Sequence, residues 1–335
     1  MIIRLDSRYE AKLLKNGLKN IELFHLSKIF QATIENRVFF RATRDFFDYL
    51  IQHHNSYFSE PVRGYLSDMY ENYSTLIGDT NGIKVLINIS ENGTNTFKNL
   101  PKELSPSLYC EHSTDSDFYL YVFNTKYGEK DNIYLLPRDF GGCNVDCIKT
   151  LKKTKAIFLS IFDSDKKYPK AQRGGTCRTL AKLFNNSPTY MECYTLLVHE
   201  KENMIPTTFL KPPHASQKKM LEIIGKSNDD IKDYFDIKSG LRKKDHDRWS
   251  SNVLLKNVQY PVFDEMDKNH FCVAVTNDDD KYFGGIGDKE IEKIITNRVT
   301  YSNIIDHLTM RQKADWKNIF SLINKFGFRY SKITN

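Results

Sequence analysis

Asp163-Ser164-Asp165 follows a run of strand-forming residues, Ala156–Phe162, and precedes Lys166 and Lys167. Side chains alternate along a strand, so carboxylates at i and i+2 share one side. Like charges held together repel, and the common reason to keep them is a divalent cation with oxygen ligands. Such an ion polarises a phosphoryl oxygen and lowers the pKa of an attacking water, which is the chemistry of phosphodiester hydrolysis. Lys166 and Lys167 stand where they could neutralise a scissile phosphate, as could Arg138 from another strand end. The plainer alternatives are an exposed, turn-capping Asp pair and a solvated Lys pair.

A cation site needs further acids, and the elements around Asp163 bear on where they lie. Short apolar runs alternate with helix-length segments: Leu108–Cys110, Ser116–Asn124, Ile133–Leu136, Asn144–Lys153, Ala156–Phe162, Thr176–Asn186 and Met191–Val198. This βαβαβαβ pattern predicts a parallel sheet with helices on both faces and right-handed crossovers. Sites in such sheets lie at the carboxyl ends of the strands. The four strand ends carry Glu111 to Asp115, Pro137 to Gly142, Asp163 to Asp165, and His199 to Asn203. Glu111, Asp163 and Asp165 are expected to converge, with Glu202 nearby. Mg²⁺ keeps several waters, so two or three carboxylates suffice; Asp163, Asp165 and Glu202 are the expected ligands. Asp115 is read as the N-cap of the helix Ser116–Asn124, Asp117 as a first-turn acid, and His199 as a packing residue.

These segments resemble the Toprim domain, the metal-binding module shared by topoisomerases, primases, small ribonucleases and OLD-family nucleases. The resemblance covers roughly residues 107–210. Glu111-His112-Ser113-Thr114-Asp115 fits its first element, with His112 where glycine is usual. Phe140-Gly141-Gly142 fits its turn, and Asp163-Ser164-Asp165 its acidic pair. Glu200-Lys201-Glu202-Asn203 looks like the Glu-x-Glu-Asn motif of OLD-like Toprim proteins from phage-defence systems, and Tyr234–Gly240 looks like a segment found downstream in them.

The resemblance implies a metal-dependent nuclease using Mg²⁺ or Mn²⁺ and acting in antiviral defence on DNA or a tRNA-like RNA. It implies Glu111 as acid/base residue or further metal ligand, beside Asp163, Asp165 and Lys166 as catalytic groups. OLD enzymes carry an ATPase. Here Gly284–Gly287 is not followed by Lys-Ser/Thr, so it is a turn and no P-loop. A separate ATPase or other defence protein is therefore the expected regulator. Two alternatives are a degenerate Toprim module that binds nucleic acid or a partner without cleaving, and a primase- or topoisomerase-like enzyme. The latter lacks support: no CxxC pair and no defensible nucleophilic tyrosine occur.

The 335 residues include 49 Lys+Arg against 42 Asp+Glu, a net charge of +7 that is compatible with a polyanionic partner. Hydrophobic residues at 40% exclude a disordered chain. No run nears 18 apolar residues, so no membrane span is expected. No apolar signal core follows Met1, so a cytoplasmic location is expected, with the six cysteines as reduced thiols. A homo-oligomer is compatible with the chain.

Three regions are expected: a mainly helical 1–95, the Toprim-like 107–210, and a helical or mixed 211–335. Asn95–Pro106 is read as a linker and Ile83–Ile89 as a hairpin arm between Asn81-Gly82 and Asn92-Gly93. Helices are expected over Ile21–Phe40, Arg41–Tyr57, Ser216–Ile224 and Asn303–Phe326, with His53-His54 a helix-end pair. Lys243–Arg248, containing His246, is read as a surface charge run.

Overall fold

The computed structural model describes residues 1–78, 83–127, 133–141, 145–243, 252–274, 281–287 and 289–328. Asn81-Gly82, Gly142, Cys143, His246 and Asp278 to Asp280 lie outside the described residues.

The N-terminal region is helical around a small sheet that sequence periodicity does not reveal. Strand β1 (Ile2–Leu5) is followed by α1 (Ser7–Asn16) and α2 (Asn20–Ile34), then β2 (Phe39–Arg41). Next come α3 (Arg44–His54), α4 (Glu60–Glu71), α5 (Tyr73–Gly78) and β3 (Ile87–Ile89). Strand β1 is central and pairs parallel with both neighbours, burying Ile2, Ile3, Phe39, Phe40, Ile87 and Ile89 completely. Two expectations change. The helix begun at Asn20 stops at Ile34, and Phe39 and Phe40 continue as strand. Residues 87–89 pair with β1 in parallel, so they form no hairpin arm. Strands of three or four residues are too short for a period of two to stand out beside helical flanks. His53-His54 does close α3. The expected linker instead packs: Phe97, Leu100 and Leu104 are all buried.

The central region is an α/β layer with a parallel sheet flanked by helices. Its elements are β4 (Ser107–Cys110), α6 (Ser113–Tyr127), β5 (Leu136–Asp139), α7 (Val145–Lys153), β6 (Phe158–Phe162), α8 (Gly175–Leu183) and β7 (Met191–Thr195). The order is β5-β4-β6-β7, with every pairing parallel. Strand β6 is buried at all five positions, as a central strand covered on both faces must be. The second strand lies later than its apolar run suggested. Arg138 and Asp139 are therefore within β5, an exposed edge strand where Pro137 is tolerated.

The remaining residues share this core. They form α9 (Ala215–Lys226), α10 (Asp229–Tyr234), β8 (Gly240–Arg242), α11 (Val253–Lys268), β9 (Val273–Ala274), β10 (Lys281–Gly284), α12 (Lys289–Thr296), α13 (Tyr301–Ile304) and α14 (Met310–Gly327). The helix expected over 303–326 is broken. Thr309 starts α14 with a capping box, its hydroxyl accepting from Gln312 N–H and the Gln312 side chain accepting from Thr309 N–H. Trp316, Ile319, Phe320 and Ile323 are buried on one face of α14, and Trp316 meets Phe118 edge-on. Asp315, fully buried, accepts from the N–H groups of Leu197 and Val198 and from the Tyr194 hydroxyl. A C-terminal helix thus fixes the chain as it leaves β7.

Candidate active site

Parallel strands bring their carboxyl ends to one edge, and a cleft of ≈ 180 Å³ opens there. Glu111, Asp115, Asp163, Asp165 and Lys201 supply its charged lining, with Tyr119, Phe140 and Cys177 among the rest. Glu111, Asp163 and Asp165 all line this cleft, although among the described residues their carboxylate oxygens do not form a group of three within 4.8 Å.

Asp163 and Asp165 share the cleft through a turn and not through strand alternation, because β6 ends at Phe162. The N–H groups of Ser164 and Asp165 both donate to the His199 carbonyl, at 3.0 and 3.1 Å. The buried Ser164 hydroxyl also donates to Val198 O. Asp165 has φ +52°, a left-handed conformation that aspartate adopts more readily than most residues. Gly174 closes against it: a Cβ there would stand 2.2 Å from an Asp165 carboxylate oxygen. Glycine is required by this close approach.

Glu111 directly follows β4 and is about half-exposed at the cleft mouth, Oε1 4.0 Å from His112 Nε2. Asp115 is not an N-cap. It lies inside the first turn of α6, buried, with Oδ2 accepting from His112 N–H and Oδ1 2.9 Å from Lys201 Nζ. Lys201 is buried too, 3.7 Å from Glu202 Oε1, and its backbone N–H donates to Asp163 Oδ1 at 3.1 Å.

Glu202 does not reach the cleft lining. It is fully buried in the 3₁₀ turn Lys201–Met204, beside Lys201, and among the described residues neither carboxylate oxygen has a hydrogen-bond partner. The Glu-x-Glu-Asn segment thereby gains a structural reading. Asn203 accepts from Glu200 N–H and donates to the Lys232 and Phe235 carbonyls, locking the turn that presents Lys201. Lys166 and Arg138 are not among the cleft-lining residues. Lys166 follows the acidic turn, with its N–H on Ser164 Oγ, and Arg138 lies on the β5 edge. Gly141, at φ +64°, turns the chain after β5.

The electrostatics show acids in excess. Burial pushes the Asp163 carboxyl up to about 8, with Glu202 and Asp115 adding to the rise and Lys201 opposing it. Burial raises Glu202 to about 7 against the pull of Lys201. Burial also raises Asp165, with Glu111 adding to it. For Lys201, burial alone would lower the pKa; Glu202, Asp115 and Asp163 outweigh it and keep the ammonium charged. One ammonium thus faces several carboxyls that burial disfavours as anions. The carboxylate oxygens of Glu111, Asp163 and Asp165 are of the donor type a hard divalent cation takes, whereas the Glu202 oxygens lie outside the cleft lining.

Sequence reasoning missed Asp115 and Lys201 as site residues. Asp115 sits in a helix-start pattern, which reads as local capping. Lys201 lies between two glutamates whose charge draws the attention, although its place in that segment was the available signal. The five described cysteines form no disulfide, and Cys110 and Cys177 are buried. Among the described residues, no helix is long and apolar enough to cross a membrane. Comparison with family models, curated proteins and solved structures finds no match.

Proposed function

We propose that the chain is a Toprim-type, Mg²⁺- or Mn²⁺-dependent nuclease that hydrolyses phosphodiester bonds of DNA or structured RNA. The observation that carries this reading is the meeting of Glu111, Asp163 and Asp165 with Lys201 in one cleft at the carboxyl edge of a parallel sheet. The cleft's volume is that of a small group and not of a whole enclosed ligand. Pockets that enclose a small molecule run to roughly 300–1,000 Å³, and ≈ 180 Å³ suits one phosphate reached from outside.

Asp163, Asp165 and Glu111 would hold the metal. When bound, the ion polarises the phosphoryl oxygen and lowers the pKa of an attacking water. Lys201, fixed by Asp115, presents a permanent positive charge to the non-bridging oxygens without reorganising. Glu111, at the mouth, is placed to take a proton from water. Lys166, Lys167 and Arg173 follow the acidic turn and offer backbone-phosphate contacts. Action in the cytoplasm as a defence effector, restrained by a separate ATPase or other defence protein, extends the same reading from the resemblance.

The test uses purified protein with Mg²⁺ or Mn²⁺ on single-stranded DNA, duplex DNA and tRNA, alongside growth on expression. Cleavage or toxicity is expected for the wild type and is expected to vanish in Asp163→Ala and Glu111→Ala variants that remain folded. A wild type that cleaves nothing with either metal and is harmless on expression overturns the reading, as do fully active variants.

A further inference from the structure

A second group of ligand-type side chains is attached to the acidic turn through the His199 carbonyl, which receives the Ser164 and Asp165 N–H groups. One donor atom each from His199, Glu200 and Asp236 lie within 4.8 Å of one another. We infer that these three residues bind a borderline divalent cation of the zinc class, and that this ion is structural, bracing the backbone that carries Asp165.

The His199 side chain is only 6% exposed, and among the described residues its Nδ1 has no hydrogen-bond partner. One imidazole gives one nitrogen to an ion, and the nitrogen that faces the carboxylates is Nε2, so Nδ1 stays outside the shell. The other nitrogen, Nε2, stands 3.8 Å from Asp236 Oδ2. That gap is too long for a hydrogen bond. It is the kind of separation expected between two ligands that each sit about 2.0–2.2 Å from one ion.

Both carboxylates are already oriented by backbone donors. Asp236 Oδ1 accepts from Ser239 N–H at 2.7 Å, which leaves Oδ2 facing the imidazole. Glu200 Oε1 accepts from Lys238 N–H at 3.1 Å. Outer partners of this kind are what fix ligands in metal sites. The Asp236 side chain is 23% exposed, so an ion has a way in and water can complete its shell.

Donor chemistry separates this site from the cleft. An imidazole with two carboxylates suits Zn²⁺, Co²⁺ or Ni²⁺, whereas the all-oxygen cleft suits Mg²⁺ or Mn²⁺. The structural role follows from the His199 backbone. Its carbonyl receives the Ser164 and Asp165 N–H groups, and its N–H donates to Asp233 O. An ion on the His199 ring would pin the residue on which the acidic turn hangs.

The test is cobalt titration of full-length protein freed of metal by chelator dialysis. Visible absorption from one equivalent of bound Co²⁺ is expected in the wild type and in Asp163→Asn. Affinity is expected to fall by more than about tenfold in His199→Gln and in Asp236→Asn, the floor seen even for residues that only orient a ligand. Unchanged affinity in those two variants, or binding that depends on Asp163 alone, overturns the inference. If either variant fails to fold, X-ray absorption of the wild type with one equivalent of Zn²⁺ decides. An imidazole in the shell supports the site, and an all-oxygen shell refutes it, leaving His199 and Asp236 as an ion pair. No outcome depends on nuclease activity.

Discussion

Asp163→Asn should destroy activity and yet stabilise the metal-free protein at alkaline pH. In the wild type the Asp163 carboxyl is raised to about 8, first by burial and then by Glu202 and Asp115. An unfolded aspartate titrates near 3.9. A group whose folded pKa is raised contributes stability that is complete below the unfolded value and is lost as pH rises through the folded one. The window here runs from about 4 to about 8, with the folded state holding the extra proton throughout. The slope is ~1.4 kcal/mol per pH unit for one proton. Between pH 6 and pH 8 the wild type should therefore lose ~2 kcal/mol that the asparagine variant keeps, after allowance for partial titration. Asparagine retains the acceptor oxygen for Lys201 N–H, so the hydrogen bond is preserved.

Urea unfolding at pH 6 and pH 8, in chelator, measures the difference. Adding Mg²⁺ at pH 8 should restore the wild type, by ~2.7 kcal/mol at one hundred times its dissociation constant, and leave the variant unchanged. Wild-type and variant profiles parallel within ~0.5 kcal/mol, roughly the scatter of neutral surface substitutions, would refute the claim that a buried, uncompensated carboxyl lies in this cleft.

Lys201→Met should be among the most damaging changes in the chain. It strands Asp115 and Glu202, and removing one partner of a buried pair costs about 3–5 kcal/mol. The double variant with Asp115→Asn should recover part of the loss in the same unfolding assay. Gly174→Ala should displace the Asp165 carboxylate, since its Cβ would fall 2.2 Å from Oδ2. Calorimetry should then show weaker Mg²⁺ or Mn²⁺ binding, with a modest change in melting temperature.

The central layer was legible because its signals are local and repeated. Strand β6 is apolar but for Ser160, helices α6, α7 and α8 sit between strands, and parallel pairing then forces all four strand ends to one edge. That topology brings Glu111 and Asp163 to one edge, and the turn held on the His199 carbonyl adds Asp165. Glu202 shows the limit of the same logic. It follows the fourth strand as expected, but the 3₁₀ turn at Lys201 turns it inward, so lysine and not glutamate meets the cleft. The N-terminal sheet was hidden for a different reason: its strands are three or four residues long and each is stabilised by partners remote in sequence.

Residue order alone determined that two aspartates would stand at the end of a buried strand, with Glu111 at the end of its neighbour. Alternation of short strands and helices dictates that much, because parallel crossovers leave few other arrangements. Only the tertiary structure decided what surrounds them. Asp115 met Lys201, His199 met Asp236, and α14 came back to clasp the exit of β7 through Asp315. Such pairings depend on distances across the core that no local pattern encodes. Burial raises the Asp163 carboxyl first, and Glu202, Lys201 and Asp115, brought there by the fold, adjust it.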